Sequence, residues 1–228
     1  GLDAAKRVAA VKAAALVEGG MRVGLGTGST TAFAIEELGR RIREEDLDIL
    51  GTPTSPSASI LARRHGVPVR SLDELGGLDI ALDGADEVDP RLDLIKGRGA
   101  AHTREKVVAT EASRFVVLVD ESKIVDRLGS RMPVPIEVVP MAAGSVSRRV
   151  QALGGLPELR EGARKDGPVV TDQGFWIIDA TFDVIADAAE LDRALHSMPG
   201  VLEHGLFIGL ATDILVGAAD GSVEHLTR

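Results

Sequence analysis

Four short polar segments carry residue types that can do chemistry, and each follows an apolar run. The first is Gly24-Leu25-Gly26-Thr27-Gly28-Ser29-Thr30. Glycines let a backbone turn tightly and approach an anion. A helix opening just after them aims its N–H groups and positive dipole end at that anion. Ser29 and Thr30 add hydroxyl donors. A tight strand-to-helix turn with an N-cap would give the same pattern. The segment is not a Walker loop, because no Gly-Lys-Ser/Thr follows. Its G-x-G-x-G spacing also departs from the dinucleotide fingerprint G-x-G-x-x-G.

The second segment, Asp83-Gly84-Ala85-Asp86-Glu87, sets two carboxylates at the end of the run Ile80-Ala81-Leu82. Such a pair can exchange protons with hydroxyl groups or hold a divalent cation. An Asx-type turn explains one aspartate better than two. No histidine or further carboxylate cluster stands at recognisable ligand spacing, so no metal site is expected. The histidines, at 65, 102, 196, 204 and 225, are scattered and read as structural or solvated. The third segment runs from Lys96-Gly97-Arg98-Gly99 to Lys106, and offers a cation beside accessible backbone N–H groups. Glu105 falls in the early turns of the helix expected next, where the dipole favours an acidic residue whatever its function. The fourth is Asp120-Glu121-Ser122-Lys123. Only six of the 26 basic residues are lysines, so a lysine in such a segment is more a chemical choice than surface filler.

The elements that must position these segments follow from apolar periodicity. Residues 3–18 form an amphipathic helix ended by Gly19-Gly20, and Met21 to Leu25 a buried strand. A helix runs from the glycine loop to about Arg43. Asp48–Leu50 is a strand, Ser55-Pro56 starts a helix with Ser as cap and Pro at its first position, and Val67–Val69 is another strand. Ile80–Leu82 and Phe115–Val119 are strands separated by a helix ending near Thr110. This alternation implies an α/β fold, a mainly parallel, Rossmann-like sheet with helices on both faces. Beyond Pro133 the pattern changes. Val134–Val139, Ser145–Leu153, Leu156–Leu159, Phe175–Ile178, Asp187–Ser197 and Val201–Ile208 read as βαββαβ, a small ferredoxin-like α+β domain. Val169–Thr171 reads as a further strand. Asp213–Val216 and Val223–Leu226 read as a hairpin returning to the first sheet. The expected domains are therefore 1–130 with 207–228, and 131–206. Ligands of open α/β sheets bind beyond the carboxyl ends of the strands, so the four segments should converge there.

Composition excludes other classes. With 44% apolar residues the chain can bury a core, and with 3% aromatics that core is aliphatic. A net charge of −9 argues against a broad nucleic-acid surface. The absence of cysteine rules out disulfides and thiolate chemistry, and suits a cytoplasmic setting. No run is long and apolar enough to span a membrane. The first residues show neither a signal-peptide nor a myristoylation pattern.

Taken together, the segments resemble ribose-5-phosphate isomerase of the A type. The resemblance rests on Gly24–Thr30, Asp83–Asp86, Lys96 to Lys106 and Asp120–Lys123, with Val134–Val138 and Leu206–Gly209 beside them. It runs the length of the chain. GTGST alone also looks like loops of sugar-phosphate deaminases and of sugar-sensing regulator domains, whereas DGADE with the Lys96 and Thr103-Arg104-Glu105-Lys106 motifs is specific. The resemblance implies interconversion of ribose 5-phosphate and ribulose 5-phosphate through an enediolate, with no cofactor or metal. It makes Glu105 the base moving a proton between C2 and C1. Asp83 and Asp86 handle hydroxyl protons and ring opening, and Lys96 stabilises the enediolate oxygen. Thr27, Gly28, Ser29 and Thr30 hold the substrate and its phosphate, with Lys123 and Lys6 completing the phosphate site. Gly84, Ala85, Gly97, Arg98 and Gly99 complete the substrate loops. Arg98 stands where the family commonly has glycine. A homodimer or homotetramer in the cytoplasm is implied as well, with no nucleic-acid or membrane partner. The competing readings are a non-catalytic sugar-phosphate sensor, which would not need Asp83, Asp86, Lys96 and Glu105 together, and a nucleotide-dependent Rossmann enzyme, which the glycine spacing disfavours.

Overall fold

The computed structural model describes residues 1–228. In chain order the elements are α1 (Leu2–Ala14), β1 (Arg22–Leu25), α2 (Ser29–Glu45), β2 (Leu50–Pro53), α3 (Pro56–Arg64), α4 (Leu72–Leu75) and β3 (Leu78–Asp83). The short strands β4 (Glu87–Val88) and β5 (Leu94–Ile95) follow, then α5 (His102–Glu111) and β6 (Ala112–Asp120). The remainder comprises β7 (Val134–Val138), α6 (Ala143–Ala152), β8 (Leu156–Leu159), β9 (Trp176–Thr181), α7 (Ala188–His196), β10 (Val201–His204), β11 (Leu206–Phe207), β12 (Asp213–Gly217) and β13 (Val223–Thr227).

Contacts divide the chain into two compact units. The first holds Gly1–Ala85, Arg104–Ile124 and Leu210–Arg228. Its sheet has the order β13-β12-β6-β3-β1-β2, parallel throughout except for the antiparallel edge strand β13. Parallel strands buried on both faces need apolar side chains in both directions. Val116, Val117, Leu118 and Val119 of β6 are all buried accordingly. Helix α1 packs on α2, β6 and β12. Its buried face is almost entirely alanine (Ala5, Ala9, Ala10, Ala13, Ala14), which lets it lie close to the sheet.

The second unit holds Asp86–Thr103 and Val125–Gly209. Its four-stranded antiparallel sheet has the order β10-β7-β9-β8, with α6 and α7 in the βαββαβ sequence. The core gathers Val134, Ile136, Val138, Ile178 and Leu195 among others. A three-stranded sheet, β11-β5-β4, also belongs to this unit. It explains why residues 86–103 group here, whereas the sequence placed them in the first domain: Leu94 and Ile95 pair with Phe207 and Leu206 rather than with the large parallel sheet.

The fold class matches expectation, and several boundaries differ. Strand β2 spans Leu50–Pro53 rather than Asp48–Leu50, because its register with β1 pairs Arg22 with Leu50 and Leu25 with Pro53. Val67–Val69 contributes only an isolated bridge to Gly51, and Val169–Thr171 forms no strand. The run Val201–Ile208 breaks at Gly205 into β10 and β11, which join different sheets.

Candidate active site

In the first unit β1 lies between β2 and β3, so the connections leaving β1 and β3 part in opposite directions across the sheet. That is the switch point at which open α/β sheets bind ligands. The loops that follow these two strands are the glycine-rich turn and the Asp83 segment. Gly28, with φ of 120°, is the N-cap of α2, and no side chain caps the helix. The first-turn N–H groups of a helix have no intrahelical acceptor, and in α2 the first of these belong to Ser29 and Thr30. Lys6 reaches over from α1 and donates from Nζ to Ser29 Oγ at 3.1 Å. The Thr27 hydroxyl turns another way, lying 2.7 Å from Thr54 Oγ1 and 2.6 Å from Ser55 Oγ. Ser55 in turn accepts from Ala58 N–H and caps α3. Thr54 and Ser55 thus brace the turn from β2, a role that spacing in the sequence gives no reason to assign.

Asp83 ends β3 and is only 3% exposed. Its Oδ1 accepts from Gly84 N–H at 2.8 Å, and its carboxylate packs on Gly26. Glu105, 6% exposed, lies in the first turn of α5. That helix is held down on β1 through Val108: a Cβ on Gly24 would fall 2.5 Å from Val108 Cγ1. Burial of two carboxylates is costly unless they are partnered or used, because charge leaves water at a price of several kcal/mol. Lys123 closes a single 3-10 turn, Glu121–Lys123, whose cap Asp120 accepts from Ser122 N–H at 2.8 Å.

In the second unit Asp86 donates its N–H to Ile95 O at 2.8 Å, and its Oδ2 accepts from Arg98 N–H at 3.0 Å. Lys96 is buried. Its N–H bonds Gly205 O at 2.8 Å, and its Nζ stands 5.6 Å from the centre of the Phe207 ring. The loop turns through Gly97 at φ 111° and Ala100 at φ 63°. The Arg98 side chain is exposed, and its main chain carries the structural contacts.

The histidines are structural, as expected, though two of them cluster: His196 and His204 meet Asp192, with possible ligand atoms within 4.8 Å of one another. His204 Nδ1 accepts from Leu206 N–H at 3.0 Å, so a neutral ring carries its proton on Nε2, which faces Asp192 Oδ1 at 2.7 Å. Both ring nitrogens are committed, and the cluster reads as a hydrogen-bonded tie between α7 and β10. The sequence hid it because α7 and β10 are joined by a turn whose geometry no spacing rule describes.

In the first unit a glycine-rich turn at a sheet switch point stands with buried carboxylates after β3 and at the start of α5, features of the α/β enzyme class, and the second, ferredoxin-like unit carries the Lys-Gly loop. Comparison with known proteins narrows the class. Residues 50–221 match the sequence profile of ribose 5-phosphate isomerase A (phosphoriboisomerase A), and the chain belongs to that family. It is 58% identical over 213 residues to the ribose-5-phosphate isomerase A of Thermosynechococcus vestitus, covering 93% of this chain and 90% of that one. It superposes on a D-ribose-5-phosphate isomerase solved in complex with phospho-erythronic acid, at TM-score 0.98, 46% identity and full coverage of both chains. The isomerase of Methanocaldococcus jannaschii matches at TM-score 0.94 and 48% identity, over 98% of each chain.

Proposed function

We infer that the chain interconverts ribose 5-phosphate and ribulose 5-phosphate through an enediolate, with Glu105 as the base. What supports this reading first is the burial of Glu105 at the start of a helix fixed to the parallel sheet. A carboxylate withdrawn from water and held in one place is suited to take the proton from C2 and return it to C1. Lys96, buried beside Phe207, supplies positive charge for the oxygen that becomes anionic. Asp83 and Asp86 exchange protons with the substrate hydroxyls and assist ring opening. The N–H groups of Gly28, Ser29 and Thr30, with the cations of Lys6 and Lys123, receive the phosphate. The main chain at Thr27, Gly84, Ala85, Gly97, Arg98 and Gly99 shapes the remaining contacts. One base serves both carbons, so the proton balance of the reaction closes within the site. The same reading places the enzyme in the cytoplasm as a homodimer or homotetramer, which light scattering on the pure protein would measure.

The decisive assay follows ketose formation from ribose 5-phosphate after EDTA treatment, with Glu105→Gln alongside. Rapid turnover by the wild type and a loss of about a thousandfold or more in the variant are expected, the scale on which removing a general base and its positioning acts. A variant that turns over normally would remove Glu105 from the role. A wild type that binds the sugar phosphate without converting it would make the site a sensor.

A further inference from the structure

The Lys96–Gly99 loop is gripped from behind by a residue that no motif marks. Arg160 follows β8 and sends its guanidinium to two successive carbonyls of the loop. Nη2 donates to Gly97 O at 3.1 Å and Nη1 to Arg98 O at 2.9 Å. The other edge of the same guanidinium is held by Asp179 on β9, with Nε to Oδ2 at 2.8 Å and Nη2 to Oδ1 at 2.7 Å. The Arg160 main chain is tied into the sheet region as well, its N–H to Ile177 O at 2.9 Å and its carbonyl to Val169 N–H at 2.9 Å. The side chain is 17% exposed.

What this grip does follows from the planarity of the peptide bond. The Gly97 carbonyl and the Arg98 N–H belong to one rigid unit and point in opposite directions in a trans peptide, and no peptide bond here is cis. Arg160 holds the carbonyl end, and the N–H end donates to Asp86 Oδ2 at 3.0 Å. The next peptide is fixed likewise: with the Arg98 carbonyl on Arg160, the Gly99 N–H points away from it. We propose that Arg160, held by Asp179, is a positioning residue that orients Asp86 and the Lys96–Gly99 loop for the substrate. The planar fork of arginine bonds two carbonyls and a carboxylate at once, which the point charge of a lysine cannot reproduce. The inference rests on the reading that Asp86 and this loop act on the sugar phosphate.

The test compares Arg160→Ala, Arg160→Lys, Asp179→Asn and Asp86→Asn, alone and with Arg160→Lys combined with Asp86→Asn, by steady-state kinetics on ribose 5-phosphate. Arg160→Lys keeps charge and stem and covers the case in which alanine unfolds the chain. The expected loss in kcat/KM for Arg160→Lys is about ten- to a hundredfold, the scale of a misplacement near 1 Å. That loss should shrink to about threefold or less in the Asp86→Asn background, because the two residues act through one peptide. Added guanidinium should restore part of the activity of Arg160→Ala. If Asp86→Asn is impaired while Arg160→Lys stays within about twofold of wild type, or if the two losses multiply, the positioning role is overturned and the site reading survives. If Asp86→Asn itself turns over normally, the site reading fails and the inference falls with it.

Discussion

The carboxylate of Asp83 occupies the space in which a side chain on Gly26 would begin. A Cβ there would fall 2.3 Å from Asp83 Oδ1, 2.4 Å from its Cγ and 2.7 Å from Leu82 O. The loop after β1 and the carboxylate after β3 are thereby packed together, and a hydrogen bond from Gly26 N–H to Leu82 O at 2.9 Å fastens the pair. Gly26→Ala should displace Asp83 and lower turnover about a hundredfold, while costing about 1–3 kcal/mol of stability through overpacking. Kinetics and urea unfolding measure the two effects separately, and a Gly26→Ala enzyme with wild-type kinetics would show that the contact does not position Asp83.

Lys6 meets Ser29 at the start of α2, and its bond is to a hydroxyl of the glycine-rich turn. Lys6→Ala should therefore raise KM for the sugar phosphate about tenfold with kcat changed little, the pattern of lost uniform binding. Competitive inhibition by inorganic phosphate should weaken in parallel. A fall in kcat with KM unchanged would place Lys6 in the chemistry instead.

Glu137 is fully buried on β7, and its carboxylate accepts from Thr103 Oγ1 at 2.5 Å, Thr171 Oγ1 at 2.6 Å and Gln173 Nε2 at 3.1 Å. Glu137→Ala removes the carboxylate that accepts these bonds. It should cost about 1–3 kcal/mol, the cost of a buried donor such as the Thr171 hydroxyl left unpaired. Denaturant unfolding of the variant reads this directly, and a loss below about 1 kcal/mol would mean that water replaces the carboxylate.

Asp213 opens β12 with its carboxyl held well below the usual carboxylate range, chiefly by the Arg114 guanidinium, with hydrogen bonds from Thr212 and His225 adding to it. A depressed folded-state value means that the stabilisation is present above the unfolded value, about 3.9, and is lost as pH falls through the folded one. Asp213→Asn should cost about 1–2 kcal/mol at neutral pH, discounted for the partial exposure of Arg114. The melting curves of variant and wild type should draw together below about pH 4. A gap that stays constant down to strongly acidic pH would remove the ion pair as its source.

The Ser55 cap was legible because its mechanism is local: a hydroxyl, a proline and an apolar face within one turn. The βαββαβ order of the second unit was legible for the same reason, since strand and helix periods differ. The bridge-only contribution of Val67–Val69 was not legible. Its apolar residues pack into the core without a second partner strand to extend the ladder. The meeting of His196 at the end of α7 with His204 at the end of β10, like the reach of Arg160 to residues 97 and 98, joins positions that no period relates.

The sequence alone determined the residue types proposed for the chemistry and the strands that lead to them, because glycine turns, paired carboxylates and apolar periods are written within a few neighbouring positions. Only the tertiary structure decided how those groups are held. Gly26 must lack a side chain because Asp83 arrives from a strand more than fifty residues away, and Asp86 takes its direction from a peptide whose far end is held by Arg160. Close packing and hydrogen bonding act between surfaces brought together by the whole fold, and their geometry is fixed only when the fold is complete.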